Sequence, residues 1–431
     1  MLRVTGSGAV AVVDKIWHGR KPLGKVPPRV LALGKISGAD GRIIDDVLAV
    51  RFAAPASFTG EDVVEITGHG GQLVARLLLD ALLAAGADPA GPGEFSQRAF
   101  LNGKLDLAQA EAVMDIISAQ TTLALRAARQ QLSGGLSAAV HRLREDVIGL
   151  LAHIEAYIDF PDEDIDPDTG VAMLARMDAV LAAINALLAT AERGRILRHG
   201  LRLVLAGAPN AGKSSLLNRL LGFDRAIVSA EAGTTRDTVE ETIDLGGVPV
   251  RLIDTAGLRD DPGTVEQLGM IRTKAALLDA DFVLEIIDGT QAPADVFRIG
   301  HGVGAPHHLL VLNKSDLGVH PDWLDTPHAV ALSCTTGAGM DQLVAAIQHE
   351  ILTSAADLDN TPLAINARHQ HCLRAAAGAI TRARSLLAAA EHPEFIAEDV
   401  RAAMHAIGEI TGRVDAEEIL GAIFGSFCIG K

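Results

Sequence analysis

Apolar and polar positions divide the chain into three textures. Up to about residue 100, short β-like runs such as Ile43–Phe52 and Asp62–Thr67 lie among Gly- and Pro-rich connections, and one helical stretch, Gly71–Ala85, interrupts them. That pattern predicts a small α+β domain. From about Asp106 to Leu151, Leu, Ala, Ile and Val recur at three- and four-residue spacing, the period of an amphipathic helix. The acidic, Pro-containing segment Asp159–Asp168 breaks the period, and a second helical run, Val171–Glu192, follows. Residues 363–391 and 399–420 share this texture. Bundle helices bury their apolar stripes against one another, so the separated runs predict one helical domain in two parts. Between the parts, LRLVLAG, VRLIDT, FVLEIID, HLLVLN and AVALS read as buried strands of a mostly parallel sheet alternating with helices. The expected class is multidomain α/β plus α. An α+β domain spans 1–102, helical parts span 103–197 and 357–431, and an α/β domain is inserted at 198–356.

Composition narrows the function classes. With 431 residues the chain is long enough for two or three cored domains. Its formal charge of −16 argues against a broad nucleic-acid footprint while leaving room for local basic patches. Cys334, Cys372 and Cys428 are the only cysteines, and their spacing suggests neither a disulfide framework nor a zinc site. No uninterrupted apolar run reaches the ~18–20 residues that span a bilayer. The opening MLRVTGSGAVAVV lacks the regions of a signal peptide. The expectation is a soluble, cytoplasmic protein with no membrane partner.

The inserted domain carries the clearest chemistry. Gly207-Ala-Pro-Asn-Ala-Gly-Lys-Ser214 fits GxxxxGK[ST], after the apolar strand Leu201–Ala206 and before the helical run Ser215–Leu221. The glycines let backbone N–H groups, including those of Ala211, Gly212 and Ser215, turn toward phosphate oxygens, and the helix N-terminus adds a favourable partial charge. Lys213 is expected to reach the β- and γ-phosphates of GTP, and Ser214 to bind Mg²⁺. Asp254-Thr255-Ala256-Gly257 ends the strand Val250–Ile253, where Asp254 can hold the Mg²⁺ shell through water and the Gly257 N–H can meet the γ-phosphate. Asn313-Lys314-Ser315-Asp316 ends the strand His308–Leu312. Asp316 can accept both guanine N1–H and N2–H₂, a donor pair adenine does not offer. Asn313 and Lys314 brace and cover the base. A backbone N–H of Ser333-Cys334-Thr335 is expected at guanine O6. Within Glu231–Asp237, Thr235 is the candidate second Mg²⁺ ligand.

Two positions depart from the simplest GTPase. Many small GTPases place a water-orienting Gln directly after Gly257, and here Leu258 stands there. Arg259, Asp260, Asp261 and Glu266 are the polar candidates downstream. Asn210, inside the phosphate loop, either ligates a monovalent cation or caps the loop, and spacing alone favours neither.

Four segments together resemble the tRNA-modification GTPase MnmE family, also called TrmE. They are FTGEDVVEITGHGG at 58–71, GPGEFSQRAFLNGKLDLAQAEAV at 91–113, the set GAPNAGKSS, GTTRDT and DTAGLRD, and the terminal Cys428-Ile-Gly-Lys431. The resemblance implies an N-terminal folate-binding and dimerisation domain, a discontinuous helical domain and an inserted Ras-like P-loop G domain. It implies a homodimer that acts with the FAD protein MnmG on tRNA. The pair would modify C5 of the wobble uridine by aminomethyl or carboxymethylaminomethyl addition, with 5-formyl- or 5,10-methylene-tetrahydrofolate as one-carbon donor. It places K⁺ at Asn210, Ser229, Glu231 and Thr234, the catalytic Glu at Glu266, and tetrahydrofolate at Arg3, Glu65, Lys104 and Lys431. Cys428 matches the family's terminal cysteine at the modification centre, with its chemical role open. The family also carries a further strand and a Gly/Pro-rich turn ahead of the segment matching Met1–Gly6. That difference bears on folate binding and N-terminal pairing and leaves the G domain untouched. A regulatory or ribosome-assembly GTPase would share the G motifs, but it would leave residues 91–113 and 428–431 without a purpose.

Overall fold

The computed structural model describes residues 1–159, 170–223, 240–253, 277, 279–296, 307–324, 326–351 and 363–412. The described residues fall into two compact units, one of 1–114 with the chain from Ile407, the other of 115–406.

In the first unit a five-stranded sheet has the order β1-β5-β4-β3-β2, antiparallel throughout. Its strands are β1 (Leu2–Thr5), β2 (Trp17–Gly19), β3 (Ala32–Ser37), β4 (Ile43–Phe52) and β5 (Val63–Thr67). Alternation along β4 and β5 sends Val47, Ala49, Val64 and Ile66 into a core shared with helices α1 (Ala9–Asp14) and α2 (Gln72–Ala84). Leu78, Ala81 and Leu82 form the stripe of α2 that meets it. The opposite face carries Arg3 and Glu65, side by side in the β1–β5 register, and the exposed pair Leu33 and Leu48. Helix α3 (Glu94–Leu101) follows. Its last residues fold back, with Asn102 donating to the Thr59 carbonyl at 2.7 Å.

The continuous helical pattern read over 106–151 is broken in the structure. It becomes α4 (Leu107–Ser118), α5 (Thr122–Leu132) and α6 (Gly135–Asp159). The reasons are local. The Thr121 hydroxyl accepts the Ala124 N–H and so starts a new helix, and Gly134 at φ +90° turns the chain before α6. Along the chain, α7 (Val171–Leu188) and α8 (Ala191–His199) precede the second sheet, and α11 (Ala367–Ala388) and α12 (Pro393–Thr411) follow it. Helix α11 begins with a capping box between Asn366 and His369 and packs along α7. The stretch Val171–His199 is long and apolar enough, by length and composition alone, to cross a membrane. Met173, Met177, Val180 and Ile184 are buried along α7, and Asp178 pairs with Arg384 of α11, so it reads as a bundle helix.

The second sheet has the order β11-β10-β9-β6-β8-β7. Its strands are β6 (Leu201–Ala206), β7 (Glu240–Leu245), β8 (Val248–Ile253), β9 (Phe282–Asp288), β10 (His307–Asn313) and β11 (Ala329–Ala331). All pairs are parallel except β7–β8. Leu203, Leu205, Leu284, Ile286, Leu309 and Val311 point to one face. There they bury Leu216 and Leu220 of α9 (Lys213–Phe223) and Leu343 and Ile347 of α10 (Met340–Ile351). Each such fully buried aliphatic side chain contributes about 1.5–3 kcal/mol. This packing fixes the strand ends, and with them the loops that leave β6, β9 and β10. In open α/β sheets ligands bind outside those carboxyl ends.

Candidate functional site

The phosphate loop runs from the end of β6 into α9. Three of its residues hold positive φ: Gly207 at +148°, Asn210 at +62° and Gly212 at +107°. A Cβ on Gly207 would lie 2.1 Å from the Ile286 carbonyl of neighbouring β9, so only glycine lets the loop leave the sheet there. A Cβ on Gly212 would lie 2.0 Å from the Asn313 amide nitrogen. The loop is therefore pressed against both β9 and the residue that follows β10. Lys213 folds back and donates to the carbonyls of Gly207 and Ala208, each at 2.9 Å. Its ammonium stands over the loop, where a polyphosphate would meet it. Ser214 and Ser215 are exposed in the first turn of α9, with their hydroxyls open to a ligand.

The loops after β10 and β11 converge on the same edge. Asn313 is buried and bonds in two directions: its amide N–H donates to Ala211 O at 2.9 Å, and its Oδ1 accepts the Cys334 N–H at 3.1 Å. One side chain thereby ties the loop after β6, the loop after β10 and the loop after β11. Ser333 is buried, and its hydroxyl accepts the Thr335 and Thr336 N–H groups. Arg219 of α9 holds the Thr335 carbonyl at 3.0 Å. Asp316 is exposed at the rim, available for a base. Burial pushes the Cys334 thiol above its ordinary value, with nearby Arg219 opposing and Asp316 reinforcing the shift, so the sulfur stays protonated at neutral pH.

Asn210, Ala211, Gly212, Lys213, Ser214 and Ser215 are thus brought together with Asn313, Lys314, Asp316, Ser333, Cys334 and Thr335. Ser229, Glu231, Thr234, Thr235, Asp254, Thr255, Ala256, Gly257, Leu258 and Glu266 lie outside the described residues, as do Cys428 and Lys431. Asp288 and Thr290 did not stand out in the sequence. Their only signal there is the Asp-Gly-Thr that closes the strand FVLEIID next to Asn313–Asp316.

In the N-terminal unit, Arg3 and Glu65 meet. The guanidinium bonds one carboxylate oxygen through Nε at 2.9 Å and Nη2 at 2.6 Å. Arg3 also lies 5.6 Å from the ring centres of both Phe58 and Phe95, a cation–π contact on each side. The family resemblance implies tetrahydrofolate at Arg3. In the structure its charge is directed at Glu65, because the two are register partners on adjacent strands. Lys104 donates to the Pro55 carbonyl at 3.1 Å, and no hydrogen bond or ion pair among the described residues joins it to the Arg3–Glu65 pair. The walls around this corner are stiff. Glu61 accepts from Thr5 and Arg98, and Arg98 also pairs with Glu94 at 2.7 Å. The Arg98 guanidinium and the Gly91 N–H hold the Glu94 carboxyl below its ordinary value. The residues present suit a polar-edged ring system: the exposed Phe58 ring, and a carboxylate whose other oxygen has no partner among the described contacts.

A phosphate loop, a guanine-type Asn-Lys-x-Asp loop and a Ser-Cys-Thr loop at the carboxyl edge of a six-stranded sheet define a P-loop GTPase. Comparison with known proteins is more specific. The model of the MnmE helical domain matches residues 107–428, and that of the GTP-binding protein TrmE N-terminus matches 1–104. A tRNA modification GTPase MnmE from Akkermansia muciniphila is 50% identical over 442 aligned residues, covering 99% of this chain and 97% of the relative. Relatives of the same description from Opitutus terrae and Chloroflexus aurantiacus are 43% and 44% identical over the whole chain, covering 95% and 96% of their own lengths. The chain belongs to the MnmE family of tRNA modification GTPases. It hydrolyses GTP and serves tRNA modification.

Proposed function

We propose that this GTPase is potassium-dependent and acts as a homodimer with an MnmG-type FAD protein. The pair modifies C5 of the wobble uridine of tRNA by aminomethyl or carboxymethylaminomethyl addition with a tetrahydrofolate one-carbon donor. The observation that carries the reading is the Asn313 junction, which assembles phosphate and base loops in a chain that also matches the family's N-terminal and helical models. In this reading α4–α8 and α11–α12 form one helical domain, and the G domain is inserted between them. The protein is cytoplasmic, where its tRNA substrate is.

The residues take these roles. Lys213 neutralises charge on the β- and γ-phosphates, and the backbone N–H groups of 210–215 cradle them. Ser214 and Thr235 would hold Mg²⁺, supported by Asp254, and the ion bound there would offset negative charge during phosphoryl transfer. Asn210, Ser229, Glu231 and Thr234 hold K⁺, which supplies the positive charge an arginine finger gives elsewhere. Glu266 orients the attacking water, the task Leu258 cannot perform. Thr255, Ala256 and Gly257 sense the γ-phosphate. Asp316, Lys314 and the Ser333–Thr335 backbone read guanine. In the N-terminal domain, Glu65 takes the amide and amino edge of a pterin, Arg3 holds that carboxylate in place, and Lys104 and Lys431 serve the glutamate end. The uncovered Leu33 and Leu48 on the same sheet face support self-association through this domain. Cys428 approaches the modified base.

Two experiments test the proposal. Wobble-uridine nucleosides from cells lacking the protein should lose the C5 group and regain it on complementation with this chain. Intact modification in the deleted cells would favour a regulatory or ribosome-assembly GTPase. GTP turnover at equal ionic strength should be roughly tenfold or more faster in K⁺ than in Na⁺, the order expected for a preorganised charge on the leaving phosphate. Equal rates in the two salts would remove the cation from the mechanism.

A further inference from the structure

Asp288 closes β9 and is the register partner of Asn313 across β9 and β10. One of its carboxylate oxygens accepts the Lys314 ammonium at 2.7 Å. The other accepts the Thr290 N–H at 3.1 Å and the Thr290 hydroxyl at 2.7 Å. The Gly289 N–H donates to the Asn313 carbonyl at 2.9 Å, and a Cβ on Gly289 would lie 3.1 Å from that oxygen. Asp288-Gly289-Thr290 therefore clamps the Asn313–Lys314 peptide from the side of β9. Lys314 itself sits at φ +64°, a left-handed conformation that a Lys rarely adopts. With the backbone turned this way, the Lys314 ammonium reaches Asp288.

An exposed Lys–Asp bridge is worth little, because solvent screens it and both side chains give up freedom to form it. Two features set this one apart. The Asp288 side chain is 16% exposed. Its far oxygen is also fixed by two donors, so the carboxylate is already oriented before Lys314 arrives. Burial alone would raise its pKa, but Lys314 and Thr290 outweigh that and hold the carboxyl below its usual value, so it stays ionised at neutral pH.

We propose that Asp288, braced by Thr290, is a positioning residue for guanine recognition. By anchoring the Lys314 ammonium on the β9 side, it fixes the four-carbon stem of Lys314 as one wall of the base slot. The inference rests on the assignment of Asn313–Asp316 to the guanine base. Asp288 touches neither phosphate nor the reacting water, so it acts on nucleotide affinity and not on the chemical step.

The test uses the full chain and a fluorescent GDP analogue in competition with GDP. Asp288→Asn should weaken GDP about tenfold, the loss of one charge-assisted bond in a partly screened site, with turnover at saturating GTP within about twofold of the parent. Thr290→Val keeps the charge and the backbone donor but removes the hydroxyl that braces the carboxylate, and should weaken GDP about threefold. Lys314→Ala alone and Lys314→Ala with Asp288→Asn should bind GDP equally, because Asp288 acts only through Lys314. Unchanged affinity in Asp288→Asn would overturn the proposal, as would additive losses in the double variant or a fall in saturated turnover as large as the fall in affinity. Asp316→Asn serves as control. If it keeps guanine preference, the base assignment itself fails. If it switches preference while Asp288→Asn is silent, only the role of Asp288 fails.

Discussion

Replacing Asp316 with Asn should move nucleotide preference from guanine to xanthine. A carboxylate accepts both the N1–H and the N2–H₂ of guanine. Asparagine keeps one acceptor, which still meets N1–H, but turns its NH₂ toward the guanine amino group, donor against donor. Xanthine carries a carbonyl at that carbon, and the Asn NH₂ can donate to it. GTP affinity should fall roughly a hundredfold or more, since the bond to N2–H₂ is lost, the bond to N1–H loses its charged acceptor, and two donors are left facing one another. Affinity for xanthosine triphosphate should rise correspondingly. Asp316 is exposed and no described bond of the fold rests on it, so the protein should melt at the parent temperature. Calorimetric titration with both nucleotides checks this; equal guanine preference in parent and variant would place base recognition elsewhere.

Gly212→Ala should abolish guanine-nucleotide binding by a different route. At φ +107° an alanine costs about 1–3 kcal/mol in backbone strain. Its Cβ must also displace the Asn313 amide, 2.0 Å away in the glycine structure. Asn313 cannot yield cheaply, because moving it strands the Ala211 carbonyl and the Cys334 N–H, at about 1–3 kcal/mol for each buried group. The three loops then part and the slot between them is lost. Fluorescent GDP titration should show no saturable binding, while the N-terminal unit keeps its structure. In the Gly212→Ala background, Asn313→Ala should destabilise by less than it does alone, because it relieves the clash and the Asn313 bonds are already broken. Full additivity, or parental GDP affinity in Gly212→Ala, would contradict this account.

Much of the fold is legible in the chain because local pattern and packing agree. The run Ile43–Phe52 is β4 at the same bounds, Leu201–Ala206 is β6, and Gly71–Ala85 contains α2. Buried strands of a parallel sheet are apolar along their whole length, which makes them easy to find. The helical region was harder. Its apolar period runs past Thr121 and Gly134, where a side-chain cap and a left-handed glycine divide it into α4, α5 and α6. Periodicity reports which face is buried and is insensitive to a short break. The short strands β1, β2 and β3 and the six-residue α1 also lack a distinctive pattern, because three to six residues cannot establish a period.

By itself, the sequence determined where to look for the nucleotide site. GxxxxGKS after one strand and Asn-Lys-x-Asp after another are patterns suited to phosphate and to a base, since few residue types can do either. The four family segments likewise sufficed to place the chain among the MnmE proteins. Only the tertiary structure decided how these parts hold one another. Asn313 links three loops far apart in the chain, Asp288 anchors Lys314 across two strands, and Arg3 turns to Glu65 instead of standing free. Each of these contacts depends on which strands lie side by side and in what register. A motif is local and can be read along the chain, whereas a register is a property of the packed sheet and appears only when the strands have met.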